Sequence, residues 1–269
     1  MKADRGEEEL AGHGGERLAG GGVNDVVRIG TTVRRPTGPW TATVHALLDH
    51  LRDRGFTAAP RAHGIDAEGR EVLDFLPGQV AHYPLSDQVR TDATLRAVGK
   101  LLRSYHDATA DFVPPPDAVW YGPVREPAEV VCHGDVAPYN CVFDDGGTLA
   151  LIDFDTAHPG PRVWDLAYAA YRFVPLTHPD NEDFHLPVAE QARRLRLLAD
   201  AYGLDADDRR VLAATARQRL DALVRHMHER ADAGSAAFAG HIAAGHDALY
   251  RSDAAHITRH EARLTAALR

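Results

Sequence analysis

The sequence is poor in several features that would assign a protein to a special class. It has two cysteines, Cys132 and Cys141, in 269 residues. Two are too few for a disulfide framework, so both are predicted to be reduced and buried. No apolar run reaches the roughly 18 residues that a membrane helix requires, and the charged start MKADRGEEEL lacks the apolar segment of a signal peptide. We therefore expect a cytoplasmic protein without a membrane partner.

Basic residues are in short supply relative to acidic ones. The chain has 39 acidic and 30 basic side chains, and its formal net charge is -9. Because proteins that bind nucleic acids usually present a basic surface, no nucleic-acid partner is expected. Lysine is almost absent, since every basic residue other than Lys2 and Lys100 is an arginine. This bias bears on how phosphate could be bound.

Patterns along the chain divide it into three parts, namely 1–17, 18–77 and 78–269. The first part is polar and glycine-rich without periodicity, and we expect a disordered tail. The second part predicts a small mixed sheet with one helix, from strand patterns at 26–29, 31–35, 61–65 and 71–75 and a helical pattern at 41–54. The third part is mainly helical, with helices predicted at 86–107, 187–202, 206–231 and from about 257. We expect an α+β chain with a small first lobe, the N-lobe, and a larger helical C-lobe.

The densest group of ionisable residues lies in the segment VVCHGDVAPYNCVFDDGGTLALIDFD. The residues DDGGT between two short apolar strands predict a hairpin. A two-residue turn over 146–147 would place Asn140 opposite Asp153, and a turn over 145–146 would place Pro138 opposite Asp153. In either register Asn140 and Asp153 lie at the same end of the hairpin.

An amide oxygen and a carboxylate at one end of a hairpin suit a divalent cation bound to phosphate. Mg²⁺ is the natural candidate because it prefers hard oxygen ligands, and we predict Asn140 and Asp153 as metal ligands. Asp135 lies five residues before Asn140 in a loop, close enough to accept or orient the proton of a substrate hydroxyl during phosphoryl transfer. Zinc or redox use of the two cysteines is not favoured, because neither belongs to a CxxC pair.

The motif HGDVAPYN at 133–140, followed by IDFD at 152–155, resembles the catalytic loop and metal-binding segment of aminoglycoside phosphotransferases and choline kinases, which are relatives of protein kinases. The resemblance extends to WDLA at 164–167 and YHD at 105–107, and it covers roughly residues 20–175. It implies a two-lobed, protein-kinase-like fold, with a catalytic hairpin in the C-lobe and a nucleotide-binding N-lobe.

The resemblance also implies roles for the matching residues. Asp135 would be the catalytic base or the residue that positions the hydroxyl, and Asn140 and Asp153 would bind Mg²⁺. His133 would fix the loop, and Asp165 would hold it by hydrogen bonds. The segment EVLDFLPG resembles the family's last N-lobe strand and hinge, whose backbone meets the adenine of ATP, with GTP left open. It supplies three candidate cofactor-binding residues, Asp74, Phe75 and Leu76.

The N-lobe departs from the family pattern where phosphate should be bound. Kinase-like enzymes usually hold the phosphates with a strand lysine paired to a helix glutamate, but no lysine follows Lys2 in this lobe. Arg34 or Arg35 is the predicted substitute, and Arg35 is favoured because strand alternation puts it on the face of Val33. Positions 44–45 of the helix hold Val and His, so the usual ion pair is expected to be missing.

Other residues are interpreted as structural or left open. His106 at a helix end is predicted to be a structural histidine, and Trp120 and Tyr121 to be core or lid residues. The helix-borne group of His226, His228 and Glu229 is predicted to be surface, because its spacing puts the histidines on different faces. Two further assignments stay open, namely a second-metal or substrate role for Asp155 and a phosphate-covering or linker role for Gly20–Gly22.

The sequence as a whole predicts a Mg²⁺-dependent kinase that transfers the γ-phosphoryl group of ATP to a hydroxyl of a small molecule. The net negative charge favours an aminoglycoside-type polycation as the acceptor, while choline, other amino alcohols, sugars and other antibiotics remain open. One alternative is a pseudokinase-like module that binds a nucleotide or metabolite with little catalysis. Another is a hydrolase that uses the same metal site.

Overall fold

The N-lobe is built on an antiparallel sheet of five strands. The computed structural model of the chain describes residues 15–18, 26–144 and 149–269. The strands of this sheet are Glu16–Arg17 (β1), Val27–Ile29 (β2), Thr32–Pro36 (β3), Ala62–Ile65 (β4) and Arg70–Asp74 (β5). Their order in the sheet is β1-β2-β3-β5-β4. The four strands predicted in this lobe are confirmed close to their predicted positions.

The strand β1 lies at the end of the segment 1–17 that was predicted to be a disordered tail, so this prediction does not hold for its last two residues. Glu16 pairs with Arg28, and Arg17 pairs with Val27. Both strand residues are exposed, so the strand is held by its backbone hydrogen bonds. Its sequence therefore shows no alternation of apolar and polar residues that would predict a strand. Residues 1–14 and Gly20–Gly22 lie outside the described residues.

The helix α1 (Thr41–Asp53) ties the N-lobe to the rest of the chain. Its apolar residues recur at helical spacing, and four of them are almost fully buried, namely Val44, Leu47, Leu48 and Leu51. They belong to the same hydrophobic cluster as Leu102 and Leu151, which lie in the C-lobe. One continuous core therefore runs through both lobes and fixes α1 against the predicted catalytic hairpin.

A second sheet contains that hairpin. Its strands are Gln79–Val80 (β6), Cys141–Phe143 (β8) and Leu149–Leu151 (β9), in the order β6-β8-β9. A separate pair joins Val130–Cys132 (β7) to His158–Gly160 (β10). The loop that follows β7 and the segment that follows β9 are the two stretches on which the sequence placed the site.

The hairpin register differs from both predicted alternatives. Cys141 pairs with Leu151 and Phe143 with Leu149, and the Ile152 N–H donates to the Asn140 carbonyl oxygen at 3.0 Å. Both predictions assumed a two-residue turn, whereas an odd number of residues, 144–148, separates the paired ends and shifts the register by one. Asp153 therefore follows the residue opposite Asn140, and both still lie at one end of the hairpin.

The remainder of the C-lobe is helical. The helices are Asp92–Thr109 (α2), Arg162–Phe173 (α3), Val188–Tyr202 (α4), Ala206–Asp232 (α5), Ala236–Ala243 (α6) and His246–Ala267 (α7). The predictions for α4 and α5 are confirmed. α2 begins later than position 86, because the Thr91 hydroxyl caps it by accepting the Thr94 N–H at 3.1 Å. α7 begins well before position 257, directly after Gly245, whose φ is 83°.

The helix α3 lies at the centre of this lobe. Every residue from Val163 to Phe173 is buried, including the WDLA segment that the resemblance singled out. Two short 3-10 turns, Pro138–Asn140 and Phe154–Thr156, follow the loop and the hairpin. Among the described helices, none has the length and apolar character needed to cross a bilayer. The chain is α+β and two-lobed, as predicted.

Candidate active site

The loop between β7 and β8 joins Asp135 directly to Asn140. The Asn140 side-chain amide donates to Asp135 Oδ2 at 2.9 Å and to the Asp135 carbonyl oxygen at 3.0 Å. Asp135 Oδ1 accepts the Tyr139 hydroxyl at 2.9 Å, and that hydroxyl lies 3.1 Å from the hydroxyl of Tyr168. Because Asn140 Nδ2 makes both of its bonds to Asp135, the amide oxygen Oδ1 is the atom of Asn140 that can ligate a cation.

The environment of Asp135 favours its protonated form more than water does. Burial raises the pKa of Asp135, and the charge of Asp153 adds to the rise, while the Tyr139 hydrogen bond and the charge of Arg219 oppose it. A carboxylate with a raised pKa is a better proton acceptor for a hydroxyl. Tyr139 was not predicted to belong to the site, although its position next to Asn140 in the motif could have indicated it.

Asp153 adopts a backbone conformation that residues other than glycine rarely adopt. Its φ is 63° and its ψ is 68°, and within the described ranges no other residue except glycine has a positive φ. Such strain is typical of functional positions and requires support from the surrounding structure. Here the hairpin end supports it, and the Asp153 side chain is 44% exposed, so a carboxylate oxygen remains accessible to a ligand.

Arg35 connects the N-lobe to this end of the hairpin. Its Nη1 lies 2.7 Å from Asp153 Oδ1, and its Nη2 lies 2.7 Å from Asp155 Oδ1. Its Nε forms a third ion pair with Glu71. Burial alone would lower the pKa of Arg35, but the three carboxylates raise it above its usual value. The arginine side chain is only 7% exposed, so this is a buried cation with three anionic partners.

The ion pair that was expected to be missing is present in another form. Arg35 on β3 is registered opposite Glu71 on β5, and residues directly opposite in an antiparallel pair share a face. The anion thus comes from the neighbouring strand and not from α1. His45 of α1 supports it instead, with Nε2 at 3.0 Å from Glu71 Oε2. The sequence did not single out Glu71 as a site residue, because its role depends on strand pairing.

The structure does not bring Arg34 to this cluster. Its Nη1 donates to the Thr32 hydroxyl at 2.6 Å, and its Nε lies 3.5 Å from Asp66 Oδ2. Successive residues of a strand point to opposite faces, so only one of the two neighbouring arginines can reach the hairpin. Of the two predicted substitutes for lysine, Arg35 is the one that lies beside Asp153.

The predicted adenine-binding residues lie apart from the Arg35 cluster. Asp74 Oδ1, at the end of β5, is 2.7 Å from His63 Nε2, and the guanidinium of Arg28 lies 3.8 Å from the centroid of the Phe75 ring. Leu76 is half-buried. The role of these three residues toward a nucleotide stays a prediction.

A buried carboxylate anchors the loop that carries Asp135. Asp165 accepts the N–H groups of His133 and Gly134 at 2.7 and 3.0 Å, and the side chain of His106 at 3.1 Å. Burial alone would raise the pKa of Asp165, but the hydrogen bonds and charges of His106 and His133 lower it to about 2. Burial lowers the pKa of His106, and a neutral ring that accepts the Tyr202 hydroxyl at 2.7 Å fits this geometry. The predicted structural character of His106 and Asp165 agrees with these contacts.

Gly134 allows the loop to pass close to the segment after the hairpin. Its φ is 84°, and an added Cβ would overlap the carbonyl oxygen of Thr156. His133 Nε2 lies 3.0 Å from the Ile152 carbonyl oxygen, so the loop is tied to the end of β9 as well. The two halves of the site are therefore held together by contacts of the two residues that precede Asp135.

A cavity of about 640 Å³ opens beside these residues. Four carboxylates line it, namely those of Asp135, Asp153, Asp155 and Glu229, and so do four arginines, Arg125, Arg219, Arg225 and Arg230. Trp40, Tyr121, Trp164, Tyr168, Phe238 and Tyr250 form its aromatic walls. His226, which the helical spacing placed on the surface, also lines this cavity, and its Nε2 is 3.1 Å from the Tyr121 hydroxyl.

The donor set fits a divalent cation only in part. Asn140 Oδ1 and the Asp153 carboxylate are hard oxygen ligands of the kind that Mg²⁺ prefers. Within the described parts of the chain, no group of three or more His, Cys, Asp or Glu side chains could hold a metal by itself. A cation at this place would therefore need further oxygen ligands, which nucleotide phosphates and water supply.

Comparison with known proteins places the chain among phosphotransferases. The family model described as "Phosphotransferase enzyme family" matches residues 14–125 and 117–214. The trifolitoxin immunity protein of Rhizobium leguminosarum bv. trifolii is 38% identical over 201 residues, which are 71% of this chain and 75% of that protein.

Two solved structures extend this likeness to the whole fold. An amicoumacin kinase in complex with AMP-PNP, Ca²⁺ and Ami superposes with a TM-score of 0.64 at 12% identity, covering 93% of each chain. An ethanolamine kinase of Plasmodium vivax superposes with a TM-score of 0.62 at 12% identity, covering 93% of this chain and 86% of that one. The protein-kinase-like fold expected from the sequence is thereby confirmed.

Proposed function

We propose a reaction for this chain from one established premise: it belongs to the phosphotransferase enzyme family. The chain is a small-molecule O-phosphotransferase, and the proposed reaction is Mg²⁺-dependent transfer of the γ-phosphoryl group of ATP, with GTP as an alternative donor, to a substrate hydroxyl. The supporting observation is the hydrogen-bonded pair of Asp135 and Asn140, with Asp153 at the same end of the hairpin, in a cavity large enough for a small molecule.

Asp135 would act on the acceptor. Its carboxylate faces the cavity and is held by Tyr139 and Asn140, so it can accept a hydrogen bond from the acceptor hydroxyl and take its proton as the oxygen attacks. Burial raises its pKa, which matches a proton acceptor better than an exposed aspartate would. Fixing the hydroxyl in line with the phosphoryl group lowers the entropic part of the barrier.

Asn140 and Asp153 would hold the cation, whose charge offsets the negative charge of the phosphates. Arg35 would take the place of the usual lysine. Its guanidinium nitrogens face Asp153 and Asp155, and a guanidinium can also bind two phosphate oxygens at once. Glu71 and His45 fix Arg35 from behind. The backbone of Asp74, Phe75 and Leu76 would contact the nucleotide base.

The proposed acceptor is a hydroxyl-bearing small molecule. The relatives help to narrow the biological role of this chain. The name of the 38% identical relative assigns it immunity to trifolitoxin, which supports protection against a toxin or antibiotic as the role of this chain. An aminoglycoside or amino alcohol is the acceptor predicted from the net charge of the whole chain, but the side chains that line the cavity bear on that choice more directly.

A module that binds nucleotide with little catalysis is the second candidate. The observation that favours it is the 2.7 Å contact between Arg35 and Asp153, because this ion pair engages an oxygen that a metal ligand would use. A hydrolase would use the same residues with water in place of the acceptor. The three candidates differ in turnover and can be separated by one experiment.

The experiment measures ADP formation from Mg·ATP with and without a panel of acceptors that includes aminoglycosides, amino alcohols, sugars and hydroxy acids. The kinase predicts turnover that depends on an acceptor and falls about 100- to 10,000-fold in Asp135→Asn. Asp87→Asn is the matched control, because Asp87 is exposed and does not line the cavity. ADP formation without any acceptor would indicate a hydrolase, and nucleotide binding without turnover would indicate the binding module.

A further inference from the structure

The cavity has two differently charged ends, and Asp135 lies between them. We call Asp153 and Asp155 the carboxylate end, and Arg125, Arg219 and Arg225 the arginine end. The pKa of Asp135 is raised by the charge of Asp153 and lowered by that of Arg219, so both ends are close to it. Arg219 also donates to the carbonyl oxygen of Gly134, the residue before Asp135.

The arginine end has no anionic partner in the structure. Within the described residues, Arg125, Arg219 and Arg225 form no ion pair, although Arg217 on the same helix as Arg219 lies 2.7 Å from Asp221. The Nε atoms of Arg125 and Arg219 are buried without a hydrogen-bond partner. Burial lowers the pKa of Arg125, and the charges of Arg219 and Arg225 lower it further. The cations therefore repel one another across a partly desolvated space.

Aromatic rings hold these arginines in place. The guanidinium of Arg125 lies 3.7 Å from the centroid of the Trp164 ring. The guanidinium of Arg219 lies 4.6 Å from the Tyr168 ring centroid and 5.4 Å from that of Trp164. Stacking satisfies the face of a guanidinium but leaves its N–H edge available for an acceptor. The arrangement fixes the direction of the donors without neutralising their charge.

Donors are in excess on this side of the cavity. Besides the two arginine Nε atoms, the indole Nε1 of Trp164 is buried without a hydrogen-bond partner, although this side chain is only 6% exposed. Arg125, Arg219 and Trp164 all line the cavity, and a ligand with several acceptor oxygens would match this excess of donors.

We propose that the acceptor substrate carries an anionic oxygen group, a carboxylate or a phosphate, which Arg125 and Arg219 bind while Asp135 addresses a nearby hydroxyl. This proposal rests on the proposed function, since it describes the substrate of the same site. It replaces the aminoglycoside expectation, because a polycation would lie against unpaired arginines. The net charge of -9 belongs to the whole chain and does not describe the lining of this cavity. Glu229 also lines this end and is exposed to solvent, as Arg225 is, so the two half-buried arginines, Arg125 and Arg219, carry the argument.

The walls of the cavity indicate the remainder of such a molecule. Trp40 and Tyr121 form an edge-to-face pair with ring centroids 4.7 Å apart, and Phe238 and Tyr250 also line the space. Aromatic walls favour a ligand with a flat apolar portion. A suitable pair of probes is indole-3-acetate and tryptamine, which share one ring system and carry opposite charges.

The test measures the affinity of both probes by calorimetry, with Mg·ADP present so that the nucleotide end is filled. The wild type should bind indole-3-acetate at least tenfold more tightly than tryptamine, because a charge-assisted hydrogen bond to a partly buried guanidinium is strong. Arg125→Met should remove most of this preference, and Arg125→Lys should restore part of it. Arg263→Met is the matched control, since Arg263 is exposed and does not line the cavity.

Thermal unfolding of each variant is measured first, and Arg219→Met replaces Arg125→Met if the latter does not fold. Equal binding of the two probes, tighter binding of tryptamine, no binding of either, or an unchanged preference in the arginine variants would overturn the proposal. The outcome is separable from that of the proposed function, because the measurement involves no turnover. Asp135→Asn, which should lose phosphoryl transfer, should keep the preference for the anion.

Discussion

The two ends of the cavity use the same side chain in opposite surroundings. At the carboxylate end, the buried guanidinium of Arg35 contacts Glu71, Asp153 and Asp155. At the arginine end, Arg125 and Arg219 rest on aromatic rings and form no ion pair among the described residues. Arg35 is already neutralised within the protein, whereas Arg125 and Arg219 present unneutralised charge to the cavity. The difference indicates that the arginine end suits an anionic group of the acceptor, whereas Arg35 meets a nucleotide phosphate only together with the carboxylates that surround it.

The charge balance of the carboxylate end also differs from that of a simple ion pair. Three carboxylates surround one guanidinium, so negative charge remains in excess even after Arg35 is counted. Burial raises the pKa of Asp155 to about 6, with Arg35 opposing and Asp153 adding to the rise, which means that Asp155 is mostly ionised near neutral pH. Excess negative charge close to Asn140 suits a divalent cation, whereas the arginine end suits an anion.

The largest expected effect is the loss of stability in Arg35→Met. Removing the cation leaves Glu71, whose side chain is 1% exposed, with only His45 beside it, and breaking a buried ion pair from one side costs about 3–5 kcal/mol. Unfolding in urea, monitored by circular dichroism, would measure this loss. Arg35→Lys keeps the charge but not the three-way contact and should lose less. A stability of Arg35→Met equal to that of the wild type would mean that the carboxylate end does not need its cation.

The loop that carries Asp135, between the two ends, is anchored by Asp165. Asp165→Asn should therefore cause the next largest loss of stability. The carboxylate accepts three hydrogen bonds from His133, Gly134 and His106, and an amide group can accept them only at its oxygen. Hydrogen bonds to a charged group contribute about 1.5–3 kcal/mol. We expect a loss in this range together with reduced phosphoryl transfer, because the loop that carries Asp135 loses its anchor.

The same variant gives a prediction for pH. The pKa of Asp165 is about 2 in the folded chain, below its value in the unfolded chain, so the ionised carboxylate stabilises the fold. This contribution, about 2 kcal/mol, is complete above pH ~4 and is lost as the pH falls through ~2. The acid limb of the unfolding free energy should therefore be steeper in the wild type than in Asp165→Asn. Parallel acid limbs would show that Asp165 does not titrate in this way.

The sequence predicted one end of the cavity much better than the other, for physical reasons. Asp135, Asn140 and Asp153 fall within one short segment of the sequence and lie close together in the fold, and strand alternation favoured Arg35, the arginine that lies beside Asp153. Glu71 enters the site only through its register with Arg35, and pairing between strands is not visible in single-strand patterns. The arginine end joins a connecting segment to the helix α5, and no local pattern relates residues that far apart.

The errors in the fold have a similar origin. Both hairpin registers were wrong because they depended on the number of residues in one turn, and a change of one residue moves every pair. The edge strand Glu16–Arg17 has exposed side chains, so its existence depends on the strand beside it. The helices α4 and α5 were predicted almost to their ends, because Gly203 ends α4 and the Asp205 side chain caps α5, and both signals are local in the sequence.

A smaller change in the free energy of unfolding is expected for a substitution at the arginine end. Arg125→Met removes a cation that has no anionic partner and that lies near other arginines, so relief of repulsion should offset the lost stacking on Trp164. Stacking of a cation on an aromatic ring contributes about 0.5–1 kcal/mol at exposed sites. We expect the free energy of unfolding to change by less than about 1 kcal/mol in either direction. A loss as large as that of Arg35→Met would mean that Arg125 is a framework residue, and the contrast between the two ends would not hold.

The smallest effect should come from Arg34→Met, which is the neighbour and control of Arg35→Met. Arg34 contacts Thr32 and Asp66 on the other face of β3, and a partly exposed ion pair of this kind contributes about 0–1 kcal/mol. We expect stability to fall by no more than this, and the KM for ATP to stay within about twofold of the wild-type value while Arg35→Met raises it, because alternation keeps Arg34 away from Asp153. A rise in the KM for ATP in both variants would assign phosphate binding to the strand as a whole rather than to Arg35.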